Sequence, residues 1–147
     1  MKRFAPCFLF LLFACNPYKA MRSASADFTS AQGPAGLSFL VPKGWKGVRN
    51  ETDSAGRAVR FFEYAGGTVF YVAYAPKGGD IQPIPRDSHV PRLMRTGDTL
   101  YKEQSSRTGR VWREDKKGAL RAGYINVSEG KSEALFDSAV NSVRAIR

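Results

Sequence analysis

The chain has 147 residues, with 23 Lys and Arg against 13 Asp and Glu and a formal net charge of +10 at pH 7. Its two cysteines, Cys7 and Cys15, and its single histidine, His89, are too few for a disulfide framework or for a transition-metal site built on thiolate and imidazole. A basic surplus of this size draws anions to the surface.

Lys2 and Arg3 give a positive start, and Phe4 to Ala14 form an apolar run interrupted only by Pro6. This is the layout of a secretory signal, and the run falls well short of the roughly 20 residues a spanning helix needs. Leu12-Phe13-Ala14-Cys15 resembles the lipobox of bacterial lipoproteins, with a branched apolar residue three before the cysteine and a small residue directly before it. The resemblance implies a signal peptide over residues 1–14 and Cys15 as the first mature residue, lipidated on sulfur and amine (diacylglyceryl and an acyl chain such as palmitate). Several acyl chains make attachment lasting where one holds only marginally. Cleavage after Ala24-Ser25-Ala26 is the alternative, but polar Asn16 to Ser23 separate that site from the apolar run. Residues 15–36 then read as a lipidated flexible tether, since Ser, Ala, Gly, Gln and Pro with scattered apolar residues offset little ordering entropy.

A single α+β domain is expected over 37–147. Leu37 to Val41 is an apolar strand stopped by the turn Pro42-Lys43-Gly44, with Trp45 just beyond. Arg57 to Tyr64 and Thr68 to Tyr74 flank Ala65-Gly66-Gly67 and read as a hairpin. Both alternating sets of its second arm are apolar, which suits a central strand covered on both faces. Ala75 to Asp98 carries four prolines and reads as loop, with one helical turn at His89 to Arg95. Strands follow at about Thr99 to Ser106, Arg110 to Asp115 and Ala119 to Val127 and make an antiparallel meander.

Near the end the period changes: Phe136, Ala139, Val140 and Val143 follow i, i+3, i+4, i+7, with Leu135 and Ile146 widening the stripe. Ser132 is the expected cap, Glu133 and Asp137 lie toward the positive end, and Arg144 and Arg147 toward the negative end. The expected fold is a mainly antiparallel sheet of five to six strands packed by a C-terminal amphipathic helix. The opening strand with Pro42 to Trp45, the strand-rich middle and the Phe136, Val140, Val143 helix are weakly similar to small α/β-sandwich proteins of the PsbP and Mog1 type. That resemblance implies a non-enzymatic binding or assembly role.

No catalytic constellation stands out. Asp87-Ser88-His89 has the residue types of a triad, but adjacent side chains rarely point at one another, and a surface turn is the simpler account. Asn50-Glu51-Thr52-Asp53-Ser54 is the nearest approach to a hard-cation loop and is short of ligands. Glu103 and Glu114 stand among basic neighbours, where cross-strand charge pairing is the expected use. No cofactor is expected.

The basic run Arg107, Arg110, Arg113, Lys116, Lys117 and Arg121, with Trp112 and Tyr124 among it, offers a possible recognition surface. Arg110, Trp112, Arg113, Arg121 and Tyr124 are its candidate residues, and an anionic glycan, a lipid headgroup or an acidic protein its candidate partners. The plainer account is a solvated sheet face with Trp112 packed inside. Nucleic acid is not an expected partner, since no reader motif is present. The sequence therefore predicts an envelope lipoprotein acting as a non-enzymatic binding or assembly module, anchored by lipid, with Asn16 after the cysteine favouring the outer membrane. An immunity-type inhibitor of a periplasmic toxin is the alternative, and a small hydrolase using the Asp87 to His89 loop stands third.

Overall fold

The computed structural model describes residues 17–30, 33–54, 56–76, 89–95 and 100–146. The expected signal, Cys15 and Asn16 lie outside the described residues, as do Asp87 and Ser88. A 3-10 turn, Pro17–Ala20, leads into β1 (Met21–Ser30), which pairs antiparallel along its full length with β2 (Gly33–Pro42). There follow β3 (Gly47–Thr52), β4 (Ala58–Glu63), β5 (Val69–Tyr74), β6 (His89–Arg95), β7 (Leu100–Ser105), β8 (Arg110–Lys117) and β9 (Leu120–Ser128). The chain then forms the helix α1 (Lys131–Asn141) and a short strand, β10 (Arg144–Ile146).

Two antiparallel sheets result. The larger has seven strands in the order β3-β4-β5-β9-β8-β7-β6, and the smaller has the order β1-β2-β10. The α+β class is therefore as expected, with more strands than the five to six anticipated. The hairpin β4-β5 and the meander β7-β8-β9 lie where the sequence placed them.

One face of the large sheet carries the main core. Phe62, Phe70, Val72, Val111, Ala122, Tyr124 and Val127 on that face meet Phe136, Ala139 and Val140 of α1 and Ala26, Phe28, Leu37, Phe39 and Val41 of the small sheet. Phe39 stands edge-on to Phe62 at 5.8 Å and Phe136 to Tyr124 at 5.8 Å, so both covering elements seat an aromatic ring on the same sheet. The opposite face holds a second cluster of Val59, Phe61, Tyr71 and Ala73. β5 is thus buried on both sides, as its doubly apolar pattern predicted.

Three sequence expectations are corrected. The first concerns the tether: Met21–Ser30 is a strand, so the folded domain begins well before residue 37. Ala24, Ala26 and Phe28 alternate inward, but alanines bury little area, and the strand depends on a ten-residue register with β2 that composition does not reveal. The second is His89–Arg95, which is the edge strand β6 and not a helical turn. Its Pro91 sits beside a register shift at Pro91/Leu93, the bulged edge position where a strand tolerates a residue that cannot donate.

The third is the helix end. α1 stops at Asn141, so Val143 and Ile146 do not extend its stripe; Ile146 pairs with Gly36 in β10. Ser142 ends the helix: its Oγ donates to the Ala139 carbonyl at 2.6 Å and accepts from the Leu40 N–H at 2.7 Å, tying the last turn to β2. The cap at the start is Gly130 at φ 90°, not Ser132. Arg144 does serve the negative end, donating from Nη1 to the Asn141 carbonyl at 2.6 Å.

Phe28 distinguishes a strand from a tether in solution. It is 6% exposed, so Phe28→Ala is expected to cost about 3 kcal/mol in urea unfolding. A residue in a free tether would leave the midpoint unchanged.

Candidate functional site

The five candidate residues of the basic surface do not come together. On β8, Arg110, Trp112 and Glu114 alternate onto the outer face of the large sheet, as the pleat dictates, while Arg113 points inward against α1. Tyr124 is fully buried on that inner face, and Arg121 is 7% exposed on the outer one with its Nη1 folded back onto the carbonyls of Gly118 and Leu120. Arg110 donates to Ser128 Oγ at 2.6 Å and Trp112 is half-buried. Two of the five thus face the helix, and a third satisfies its own turn.

What the strands and helix do assemble is a polar network between α1 and the inner face of β7, β8 and β9. The Asp137 carboxylate accepts from Lys102 Nζ at 2.8 Å, from Arg113 Nη1 at 2.8 Å and from the Tyr124 hydroxyl at 2.9 Å, one donor from each of the three strands. The Arg113 guanidinium also grips Asp115 through two bonds, at 2.8 and 2.7 Å, and donates to Asn141 Oδ1 at 2.6 Å. Lys102 reaches Glu133 at 2.6 Å, and Glu133 in turn accepts from the Gly130 N–H at 3.4 Å, so the same carboxylate caps the helix.

The sequence reading placed Glu133 and Asp137 only as favourable charges toward the helix start. The signal it missed is their spacing: Glu133, Asp137 and Asn141 recur every fourth residue beside the apolar stripe and share a face. Lys102 and Asp115 carried no such signal.

The titration of these groups follows from their contacts. Burial alone would push the Asp137 carboxyl up, but the hydrogen bonds from Lys102, Arg113 and Tyr124 outweigh it and hold the group below its ordinary 3.8. Burial opposes the Arg113 charge, yet Asp115 and Asp137 reverse that and raise it. Burial first, and then the neighbouring Asp137, keep the Tyr124 hydroxyl protonated. All three shifts run away from neutrality, whereas general acid–base work needs a group poised near the working pH. The network's chemistry is that of a clasp.

A second polar contact crosses the outer face. The Tyr71 hydroxyl donates to Glu114 Oε2 at 2.6 Å, and Lys116 Nζ lies 3.3 Å from Glu114 Oε1. The Tyr71 ring reaches β8 by passing over Gly123 of β9, where an added Cβ would lie 2.6 Å from the hydroxyl oxygen and 2.3 Å from the Arg113 carbonyl oxygen. Only glycine fits there. The ionic partner of Glu114 is thus Lys116, two residues along the same strand, and its partner from another strand is the uncharged Tyr71 in place of the cross-strand charge expected; the Glu103 side chain is outside the described residues.

Beside β3 an open groove of about 530 Å³ is lined by residues that include Asn50, Glu51, Asp53, Arg57 and Phe61. Its acids are already engaged, Glu51 by Arg49 and Asp53 by Arg57, and the Arg49 guanidinium stacks 4.5 Å over Phe61. The segment considered as a cation loop is instead the end of β3 and its turn, with Asp53 Oδ1 accepting the Arg57 N–H at 2.9 Å. Among the described residues no cluster of three His, Cys, Asp or Glu could hold a metal ion. The His89 backbone opens β6, and its side chain is outside the described residues.

No protein-family model matches the chain, and neither does any curated protein or any solved structure compared with it.

Three tests follow from the clasp and the ring. Asp137→Ala is expected to cost about 2 kcal/mol at pH 7, below the roughly 3–5 of a fully buried pair because this side chain keeps 24% of its exposure. Asp137→Asn tests the sign. Since the folded carboxyl titrates below its unfolded value, its contribution is present above about pH 4 and is lost as acid takes the pH through the lower folded value. The stability gap between the original chain and Asp137→Asn should therefore narrow between pH 7 and pH 3 in urea titrations. For the ring, Gly123→Ala should cost roughly 1–3 kcal/mol by overpacking, read as a lowered urea midpoint.

Proposed function

We propose that the chain is a bacterial envelope lipoprotein, lipidated at Cys15, whose domain acts by binding an anionic or acidic envelope partner rather than by catalysis. The observation that carries the binding role is where the charge sits. The enclosed ionic groups balance one another: Glu114, Asp115, Glu133 and Asp137 are met by Lys102, Arg113 and Lys116, with Arg121 also buried. The basic surplus of the described residues therefore lies at the surface. Among the described residues Lys19, Arg22, Lys43, Lys46, Arg49, Arg107, Lys117, Lys131 and Arg144 are exposed, against Asp27, Glu51, Asp53 and Glu129.

A surface of one dominant sign attracts partners of the other and loses that attraction in salt. The Leu12-Phe13-Ala14-Cys15 run supports the anchor, and the absence of a poised acid–base pair in the Asp137 network supports a binding role. No helix among the described residues is long and apolar enough to cross a membrane; attachment through Cys15 needs none.

In a bacterial host grown with labelled palmitate, the chain should take up label and partition with membranes, and Cys15→Ser should abolish both. An unmodified mature chain beginning at Asp27 would overturn the anchor. Crosslinking in the intact envelope should capture a partner whose yield falls steeply toward about 1 M salt, where the Debye length is near 3 Å; salt-independent capture would overturn the electrostatic role.

A further inference from the structure

The fold brings a basic end against the start of the chain. The 3-10 turn Pro17–Ala20 is held by the β2–β3 turn: the Lys43 N–H donates to the Ala20 carbonyl at 2.9 Å, and Lys43 Nζ to the Lys19 carbonyl at 2.8 Å. Lys46 N–H joins the same turn to the Glu63 carbonyl at 2.7 Å. Lys19, Arg22, Lys43 and Lys46 are all exposed there. Glu63, whose carbonyl takes the Lys46 N–H, has its carboxylate taken by Arg49 at 3.0 Å. Between the two lysines of the turn, Trp45 is half-buried and stands edge-on to Phe62 at 5.7 Å.

Position along the chain decides what this end meets. With β1 in place of a tether, only Asn16 separates Cys15 from the first residue of the 3-10 turn. Four residues span at most about 14 Å, so Lys19 cannot lie farther than that from the Cys15 backbone. Lys43 and Lys46 are bound to the same turn. Headgroup layers and the Debye length in physiological salt are each several ångströms deep, about 6 and 8 Å. An anchor at Cys15 therefore delivers these side chains to the charged skin of the bilayer.

We propose that Lys19, Arg22, Lys43 and Lys46 form a contact face for anionic phospholipid headgroups in the membrane that holds the anchor, with the Trp45 ring at the interface. This rests on lipidation of Cys15. Each basic side chain held at an anionic surface favours contact by about fivefold, and an amphipathic indole suits the headgroup level. The domain then sits with one end of its sheet on the membrane, and the Lys117 turn, at the far end of β9 about 20 Å along the strands, faces away.

The test uses the lipidated mature chain, purified from membranes and placed in phosphatidylcholine vesicles with or without phosphatidylglycerol. Acetylation of individual lysines by an amine reagent is read by mass spectrometry. Lys19, Lys43 and Lys46 should react several-fold more slowly on the anionic vesicles and recover in about 1 M salt, while Lys117 reacts equally on both. Equal rates for the three on both vesicles would overturn the proposal, and so would an equal slowing of Lys117, which means diffuse attraction of a basic protein. The mass of the Cys15 peptide in the same sample tests the anchor separately. If it carries no lipid, the chain is added to the same vesicles from solution, and protection of the three lysines still supports the contact face while its absence overturns it.

Discussion

One carboxylate holds three strands and a helix in register. Asp137 projects from α1 and accepts from Lys102, Arg113 and Tyr124, which lie on three neighbouring strands. An apolar side chain at that position would pack at many places along the sheet. A charged acceptor meets three donors at only one. Buried ion pairs add modestly to net stability against apolar replacements, since desolvation offsets most of the Coulomb gain. What they supply here is a single axial position and rotation for α1, and the other contacts of the helix follow from it. Phe136 can stack on Tyr124 and Tyr64, and Ser142 can reach Leu40, because Asp137 has set the height.

The same clasp shapes the exterior. Because Lys102 and Arg113 are committed inward with Glu133, Asp115 and Asp137, the interior is close to neutral and the net charge of the chain is expressed outside. A basic sequence segment is therefore a poor guide to a basic surface. The run from Arg107 to Arg121 is dense in cations, yet Arg113 and Arg121 are buried; Lys19, Arg22, Lys43 and Lys46 are fewer and more widely spread in sequence but share one exposed end.

Local signals made much of the fold legible. The Gly66-Gly67 turn, at φ 71° and 73°, and the flanking aromatic runs identify β4 and β5 without reference to the rest of the chain. The 3.6-residue stripe identifies α1. Elements defined by distant partners were not legible. β1 offers two alanines and a phenylalanine and exists through β2; β10 is three residues long and exists through Ser38, Leu37 and Gly36; β6 breaks the usual rule against proline because it lies on an edge. The site divided in the same way. Period-two alternation along β8 is enough to put Arg110, Trp112 and Glu114 on one face. The same alternation sets Arg113 opposite them, although the run of like charges in sequence suggests one shared surface.

The small sheet has a consequence in time. A chain made from its amino terminus presents β1 and β2 first, yet β10, the third member of their sheet, follows only after the seven strands of the large sheet and α1. The partners of Phe28, Leu37 and Phe39 in the core come mostly from later strands and from α1. Contacts this remote in sequence form slowly. The N-terminal hairpin must therefore wait, unfinished, while about a hundred residues follow it.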